Sequence, residues 1–302
     1  MKKKILIIGG TGFLGYHLIL KCKNLGWKII SVSNNKPTKT RKVKNVNYIT
    51  FNISNRRNFF KIKKFNPEYV VNLGGYINHK DKINTFKSHF LGVKNLFYFL
   101  KGKNIKAFIQ IGSSAEYGSI SSPQNETTTG KPKLIYGRSK LKATNFLLNV
   151  FKKYNFPVTI LRFYQIYGPK QKIDRFIPLL INACIKKIDF ITSHGKQKRD
   201  FLFVGDAVKA IIRSLNCTNC RGKIINVGSG KPIALRQIIK NIQKKIGKTK
   251  LLLGKITLRP DEPMIIYPCL KRARQYLNLT KNISFEIGID RTIKEYKKEI
   301  KI

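Results

Sequence analysis

Acidic residues are scarce in this chain: Asp and Glu together number 14 of 302 residues, against 61 Lys and Arg. The formal net charge of +47 would attract polyanions, so nucleic-acid binding is one interpretation of the composition. The basic residues are spread over every segment and form no block with aromatic residues. Compositional drift towards Lys, Asn and Ile explains the charge better, and we expect no nucleic-acid partner.

Long apolar runs are also missing. None approaches the roughly 18 residues that a membrane-spanning helix needs. The basic start MKKKILIIGGTG holds an apolar run of four residues, which is too short for a signal peptide. We therefore predict a first strand, no membrane span and a cytoplasmic protein.

Cysteine is sparse, and the five residues are scattered and odd in number, which is typical of a reducing compartment. Cys217-Thr-Asn-Cys220 is a single C-x-x-C with no second pair and no histidine nearby. An ordinary loop is favoured there over a zinc site, and no metal is expected.

Short apolar runs alternate with longer amphipathic stretches through the first half of the chain. This rhythm predicts an α/β fold with a doubly wound parallel sheet. After Tyr167-Gly168-Pro169 the alternation loosens, and prolines become frequent. We predict a cofactor-binding domain over 1–168, with strands returning to its sheet from about 200–230, and a mainly substrate-binding lobe over 169–302. The predicted strands are 5–8, 28–33, 47–51, 69–73, 107–112 and 157–163, and helical patterns lie near 13–24, 55–65, 83–101 and 137–154.

The glycine-rich stretch GGTGFLG follows the first predicted strand at once and opens the first predicted helix. A dinucleotide-binding turn lies at this position in such a sheet. A glycine lets the backbone approach a pyrophosphate, and the helix N-terminus offers unpaired N–H groups to it. The turn therefore predicts a dinucleotide cofactor, with contacts from Gly9, Gly12, Phe13, Leu14 and Gly15.

Three pairs in this chain have the spacing Tyr-x-x-x-Lys: Tyr76/Lys80, Tyr136/Lys140 and Tyr267/Lys271. The first follows a predicted strand in a loop, and Tyr267 precedes a proline, which disfavours helical geometry. Tyr136 opens a predicted helix, so Lys140 lies one turn along the same face. Only the context therefore favours the pair at 136 and 140 as a catalytic pair.

Several motifs, taken in order along nearly the whole chain, carry a family resemblance: GGTGFLG, IGSSAEYG, YGRSK, LRFYQIYGP, RDFLFVGD and the ending NLTKNISFEIGI. Together they resemble the extended short-chain dehydrogenase/reductases. More closely, the chain is similar to the NAD-dependent epimerase/dehydratase group that acts on nucleotide sugars. The resemblance implies a Rossmann domain that binds NAD(P) and a nucleoside-diphosphate sugar as substrate.

The resemblance also implies roles for particular residues. Tyr136 would be the catalytic acid or base, Lys140 would lower its pKa and bind the nicotinamide ribose, and Ser113 would hydrogen-bond the sugar oxygen. A neighbouring ammonium favours the phenolate of a tyrosine, whose pKa is otherwise about 10. Further cofactor contacts are expected from Asn52, Ile53, Leu73 and Gly74, and substrate contacts from Ser114, Gln165, Arg199, Arg259 and Glu262.

The chain departs from the family's pattern next to Ser113. The dehydratases carry an acidic pair or a Glu just after the catalytic Ser/Thr, whereas Ser114 and Ala115 stand there and Glu116 is displaced. Elimination of water would lack its catalysts, so a dehydratase is disfavoured. His89 stands where a supporting Asn is common, and we interpret it as a structural histidine.

Two hydride-transfer reactions share every residue named. A 4-keto reductase transfers hydride once to the hexose, at C4, and a 4-epimerase does so twice. A basic RNA-binding relative without chemistry is a third alternative, which an intact Ser–Tyr–Lys set argues against. We expect a homodimer and favour the reductase because of the predicted cofactor.

The end of the second strand predicts that cofactor. NAD-preferring proteins of this fold carry an acidic residue about twenty residues after the glycine turn, on the ribose 2′-OH. Here Ser33 and Asn34 stand at that place, followed by Lys36, Lys39 and Arg41. The absence of a carboxylate and the nearby cations favour NADP over NAD. The alternative is that these cations belong to a solvated loop and that Asn34 alone binds the ribose of NAD.

Overall fold

Strands and helices alternate from the first residues that the structure describes. The structure is a computed structural model that describes residues 2–76, 78–247, 249–257 and 262–300. A stretch of π-helix (Lys87–Leu91) joins the second and third α-helices, and a 3₁₀ helix (Arg56–Ile62) follows the third strand. The elements of this half are β1 (Lys4–Ile8), α1 (Phe13–Asn24), β2 (Lys28–Ser33), β3 (Asn47–Thr50), β4 (Tyr69–Asn72), α2 (Lys82–Phe86), α3 (Gly92–Leu100), β5 (Ala107–Ser113), α4 (Ile135–Tyr154) and β6 (Val158–Phe163).

The second half of the chain contains several strands of only two or three residues. The elements of this half are β7 (Gln165–Tyr167), α5 (Phe176–Lys186), β8 (Phe190–Ile191), β9 (Lys198–Phe203), α6 (Val204–Asn216), β10 (Lys223–Val227), β11 (Pro232–Ala234), α7 (Leu235–Ile246), β12 (Leu251–Leu252), β13 (Ile265–Ile266), α8 (Lys271–Leu277) and α9 (Phe285–Ile300). β9 pairs with β7, β11 and β13 in a small sheet, and β8 pairs with β12.

Seven strands form the main sheet in the order β10-β6-β5-β4-β1-β2-β3. Every pairing in it is parallel, as in the register Ile5↔Ile29 between β1 and β2. The order reverses on either side of β1, and helices cover both faces, so the predicted doubly wound fold is confirmed. All carboxyl ends of the strands meet at one edge, which is where such sheets bind ligands.

Apolar packing fixes this arrangement. Leu18 and Ile19 of α1 pack on one face of the sheet, and Phe97 and Leu147 of α3 and α4 pack on the other. The strands between them are almost wholly buried, as expected for a parallel sheet covered on both faces. Each such side chain contributes about 1.5–3 kcal/mol when it is fully buried. A third cluster, which includes Leu180, Ile238 and Ile289, joins α5, α7 and α9.

The C-x-x-C segment forms a short 3₁₀ turn after α6, and the structure joins Cys217 and Cys220 by a disulfide. The remaining cysteines are free. Within the described part of the chain, His, Cys, Asp and Glu form no group of three that could hold a metal ion. A search of the same residues finds no helix that combines the length and the apolarity needed to cross a membrane.

Candidate active site

The glycine-rich turn between β1 and α1 is packed so closely that side chains would not fit. Gly9 has a φ of +80°, and a Cβ added there would lie 2.9 Å from the carbonyl carbon of Leu73. A Cβ on Gly15 would lie 2.3 Å from the Gly9 oxygen. Gly12 caps α1 without a side-chain hydrogen bond, and the first turn has no acidic residue. The N–H groups of Phe13 and Leu14, in the first turn of α1, and the helix dipole therefore suit a pyrophosphate.

The ends of the neighbouring strands converge on this turn. The Ser33 hydroxyl at the end of β2 accepts a hydrogen bond from the Thr11 N–H at 3.2 Å. Asn52 and Ile53 follow β3, and the Asn52 side chain accepts from the Ser54 N–H at 2.9 Å. Leu73 and Gly74 follow β4, and Gly74 donates to the Asn72 side chain at 3.0 Å. The structure thus brings together the residues expected to contact a cofactor.

A pocket opens beside these strand ends. Its lining consists of neutral polar side chains, one tyrosine and one lysine: Asn34, Asn52, Ser54, Tyr76, Asn84, Lys87 and Ser88. No carboxylate occurs in this lining of described residues. Lys36 and Lys39 are exposed, whereas Arg41 donates from Nε and Nη2 to the Lys170 carbonyl oxygen, at 3.0 and 2.5 Å. Arg41 is therefore held by a loop of the second half of the chain.

Ser113, Tyr136 and Lys140 converge at the carboxyl end of β5. Ser113 is the last residue of β5, and α4 begins at Ile135, so Tyr136 and Lys140 share one helix face. The Ser113 side chain lies close enough to that of Tyr136 to lower the pKa of the phenol. The Lys140 Nζ lies 6.0 Å from the Tyr136 ring centroid and donates to the Ile111 carbonyl oxygen at 2.8 Å. Gly137 lets the start of α4 pack closely against the turn that follows β5, because a Cβ on Gly137 would lie 2.4 Å from the Ala115 carbonyl oxygen.

Burial controls the protonation of this pair. Burial raises the pKa of Tyr136, while the Ser113 side chain and the charge of Arg175 lower it. Burial also lowers the pKa of Lys140 to about 8, which the Glu116 carboxylate opposes. Near neutral pH, the pair is therefore a phenol beside an ammonium group, an arrangement that can donate a proton.

Two imidazoles flank Tyr136. His79, in the loop after β4, stacks on its ring at 4.1 Å between centroids and 12° between planes. His89 meets the ring edge-on at 5.0 Å, and its Nε2 contacts the N–H and carbonyl oxygen of Tyr76 at 3.3 and 3.2 Å. Burial lowers the pKa of His89 to about 3, so it stays neutral. The predicted structural role fits His89, whereas no signal in the sequence marks His79.

The residues expected to hold a substrate lie at the junction with the later segments. Ser114 begins a 3₁₀ turn after β5, and Gln165 is exposed at the start of β7. Arg199 is buried in β9, and its Nη2 lies 2.6 Å from the Glu262 Oε1. Two of the residues expected to bind substrate therefore contact each other. Arg259 lies outside the described residues.

Relatives of this chain are named for several reactions. The chain is 27% identical to the dTDP-4-dehydro-6-deoxyglucose reductase of Escherichia coli, over 97% of each chain. It is 26% identical to a putative UDP-glucose 4-epimerase of Methanocaldococcus jannaschii, over 96% of this chain and 97% of that one. It is also 29% identical to a dTDP-D-glucose 4,6-dehydratase of Dictyostelium discoideum, over 80% of this chain and 61% of that one.

Solved structures share the fold. The epimerase Mth375 of Methanothermobacter thermautotrophicus matches with a TM-score of 0.93 at 19% identity, over 99% of this chain and 94% of that one. MoeE5, in complex with UDP-glucuronic acid and NAD, matches with a TM-score of 0.89 at 21% identity, over 98% and 99%. The family model described as the NAD dependent epimerase/dehydratase family matches residues 5–228. With the glycine turn and the Ser–Tyr–Lys cluster in place, the chain belongs to the NAD-dependent epimerase/dehydratase family, as its resemblance to the extended short-chain dehydrogenase/reductases predicts.

Proposed function

We propose that this enzyme reduces a 4-keto group on a nucleoside-diphosphate hexose, with hydride that a bound nicotinamide cofactor supplies. The observation that carries the proposal is the convergence of Ser113, Tyr136 and Lys140 at the strand ends beside the glycine turn. Relatives with reductase and epimerase names support the substrate class, as does the UDP-glucuronic acid bound to MoeE5.

The protonation of Tyr136 supports reduction. A ketone that accepts hydride needs a proton on its oxygen, and a phenol whose pKa is raised by burial keeps that proton at neutral pH. Ser113 would hold the same oxygen by a hydrogen bond, and the Lys140 ammonium would stabilise the phenolate that remains. These three residues then bind, orient and protonate the reacting carbonyl.

A 4-epimerase is the second candidate, because epimerases occur among the similar sequences and structures. It would use the same residues, with Tyr136 first acting as a base. Dehydration has less support. Ala115 carries no group that transfers protons, and the buried Glu116 carboxylate accepts hydrogen bonds from Ser113, Thr144 and Arg162.

We propose NADPH as the reductant. The pocket beside Asn34 and Asn52 contains Lys87 and no carboxylate among its described lining, and Lys36 and Lys39 lie nearby in sequence. A 2′-phosphate dianion would meet no like charge there. Because the Arg41 guanidinium hydrogen-bonds the Lys170 carbonyl oxygen, we assign the contact with the 2′-phosphate to lysines. We expect NADPH to bind cofactor-stripped protein more tightly than NADH, and at least tenfold tighter binding of NADH would contradict this and favour the epimerase.

The reaction is tested in two steps. A thermal-shift screen of nucleotide sugars with each cofactor identifies the ligand, since binding raises apparent stability by mass action. The selected 4-keto sugar is then incubated with NADPH. A reductase oxidises one NADPH for each sugar reduced, whereas an epimerase interconverts two nucleotide sugars without net cofactor consumption. Salt-dependent binding of RNA, tighter than that of every nucleotide sugar, would overturn the enzymatic assignment.

A further inference from the structure

Glu116 is a fully buried carboxylate in a chain with few acidic residues. It ends the 3₁₀ turn that follows β5, and its two oxygens accept three hydrogen bonds. Oε1 accepts from the Ser113 N–H at 2.8 Å. Oε2 accepts from the Thr144 hydroxyl at 2.8 Å and from the Arg162 Nε at 2.9 Å.

The three donors belong to three different elements around the candidate site. Ser113 ends β5, and Arg162 lies in β6. Thr144 is one helical turn after Lys140 and two after Tyr136, so all three share a face of α4. One carboxylate therefore ties the strand that carries the candidate serine to the helix that carries the candidate tyrosine and lysine.

The backbone around this carboxylate is shaped to accommodate it. A Cβ on Gly112 would lie 2.6 Å from the Glu116 Oε1. The Arg162 guanidinium, which stacks over the Tyr117 ring at 4.5 Å, is equally buried. A buried ion pair with well-formed hydrogen bonds fixes geometry strongly, because any displacement leaves a charge without its partner.

We propose that Glu116 is a positioning residue for the reaction proposed above: it holds Ser113 in place beside Tyr136 by binding β5, α4 and β6 together. It does not touch the reacting atoms, and its effect passes through Ser113 and through the helix face of Tyr136. The proposal rests on the proposed function for its kinetic test and on the three hydrogen bonds for its geometry.

The carboxylate also acts through its charge. Glu116 raises the pKa of both Tyr136 and Lys140. The other groups that act on or face Tyr136 are Ser113 on β5, Lys140 on α4, Arg175 before α5, and the imidazoles of His79 and His89. None of these groups is a carboxylate that could replace the charge of Glu116. Removing that charge lowers both pKa values, so a reaction that needs the phenol and the ammonium group declines at a lower pH.

The first test uses Thr144→Val, which removes one donor to Glu116 and keeps the side chain's shape. We expect kcat to fall about three- to tenfold, as for one lost hydrogen bond, while KM and the Kd for NADPH stay within about twofold. Thr292→Val is the matched control, because Thr292 is also a fully buried helical threonine, and it donates to the Gly288 carbonyl oxygen, in α9. We expect this control to keep the wild-type kcat. A wild-type kcat for Thr144→Val, or an equal loss in both variants, would overturn the proposal.

The second test uses Glu116→Gln, which removes the charge and keeps the size. We expect a loss of kcat of about 30-fold or more and an alkaline limb of the pH profile that moves down by roughly half a unit. A folded Glu116→Gln enzyme with wild-type kcat and profile would overturn the proposal. If Glu116→Gln does not fold, the Thr144→Val result decides.

A wild-type protein that turns over no keto sugar would contradict the proposed function instead. In that case the phenol of Tyr136 is titrated by ultraviolet absorption, with Tyr136→Phe subtracted, in wild type and in Thr144→Val. A changed pKa in Thr144→Val supports the role of Glu116, and an unchanged one overturns it.

Discussion

Two Tyr-x-x-x-Lys pairs of this protein have the same spacing and opposite surroundings. Tyr136 and Lys140 lie on one face of α4, and Lys140 is only 5% exposed beneath the end of β5. Tyr76 lies in the loop after β4, where its hydroxyl donates to the Asp81 carboxylate at 3.3 Å, and Lys80 is exposed in a turn. A helix sets side chains four residues apart next to each other, and a loop does not. The chemistry of such a pair therefore depends on its secondary structure and burial, and its spacing alone is uninformative.

Removing the hydroxyl group of each tyrosine should distinguish the catalytic pair from the other pair most clearly. We expect Tyr136→Phe to lower kcat by about 10²–10⁴-fold, the usual contribution of a general acid, with nucleotide binding nearly intact. Tyr76→Phe removes the contact with Asp81 and should change kcat by less than about threefold, because that loss is one part-buried hydrogen bond outside the Ser–Tyr–Lys cluster. Steady-state kinetics with isothermal titration of the nucleotide sugar measures both. A Tyr136→Phe enzyme with wild-type turnover would refute the catalytic assignment.

Replacing each lysine by methionine should affect activity and stability differently in the two pairs. Burial lowers the pKa of Lys140 from 10.5 to about 8, so the fold carries an unfavourable charge below pH 8 that disappears as the pH rises towards 10.5. Lys140→Met should therefore abolish activity yet raise the free energy of unfolding at pH 7 by about 1–3 kcal/mol.

The Ile111 carbonyl oxygen keeps a donor in that variant, the Gln110 side chain at 3.0 Å. Lys80→Met, an exposed change, should alter stability by no more than about 0.5 kcal/mol. Urea denaturation at pH 7 compares the two variants, and equal stabilities would argue against a strained ammonium at position 140.

The pH profile gives the smallest effect. Since Lys140 loses its proton as the pH rises through about 8, kcat/KM of the free enzyme should fall by up to tenfold per unit above that value. In Lys80→Met the same limb should appear at the same pH. A wild-type profile that stays flat to pH 10 would mean that the ammonium of Lys140 is not required.

The local pattern of apolar residues predicted most strands of the first half of the chain, because the main sheet is built from consecutive strand–helix units. Each strand of the first half lies within a residue or two of its predicted bounds, and Tyr136 lies at the start of a helix as expected. The strands of two or three residues around β9 were not predicted, since they carry too few residues for a periodicity. The domain boundary at 168 and a homodimer remain predictions.

The contacts within the candidate site could not be predicted from the sequence pattern. Glu116 looked like a displaced catalytic acid in sequence, and its role depends on Thr144 and Arg162, 28 and 46 residues away. The stacking of His79 on Tyr136 joins residues 57 positions apart in sequence. Arg41 looked like a ligand for a phosphate, yet it binds the Lys170 carbonyl oxygen, 129 residues away. Contacts of this kind arise from tertiary packing and leave no local periodicity.

The strand order has a consequence for synthesis on the ribosome. Among the residues that the structure describes, β10 pairs with the outer edge of β6, and its last residue, Val227, follows Phe163 by 64 residues. At roughly 5–20 residues per second, this edge stays open for several seconds while the chain is still growing. Its residues are all buried in the finished fold. The nascent protein therefore presents an unpaired apolar strand edge, and slower translation through residues 164–227 lengthens the time in which that edge can aggregate.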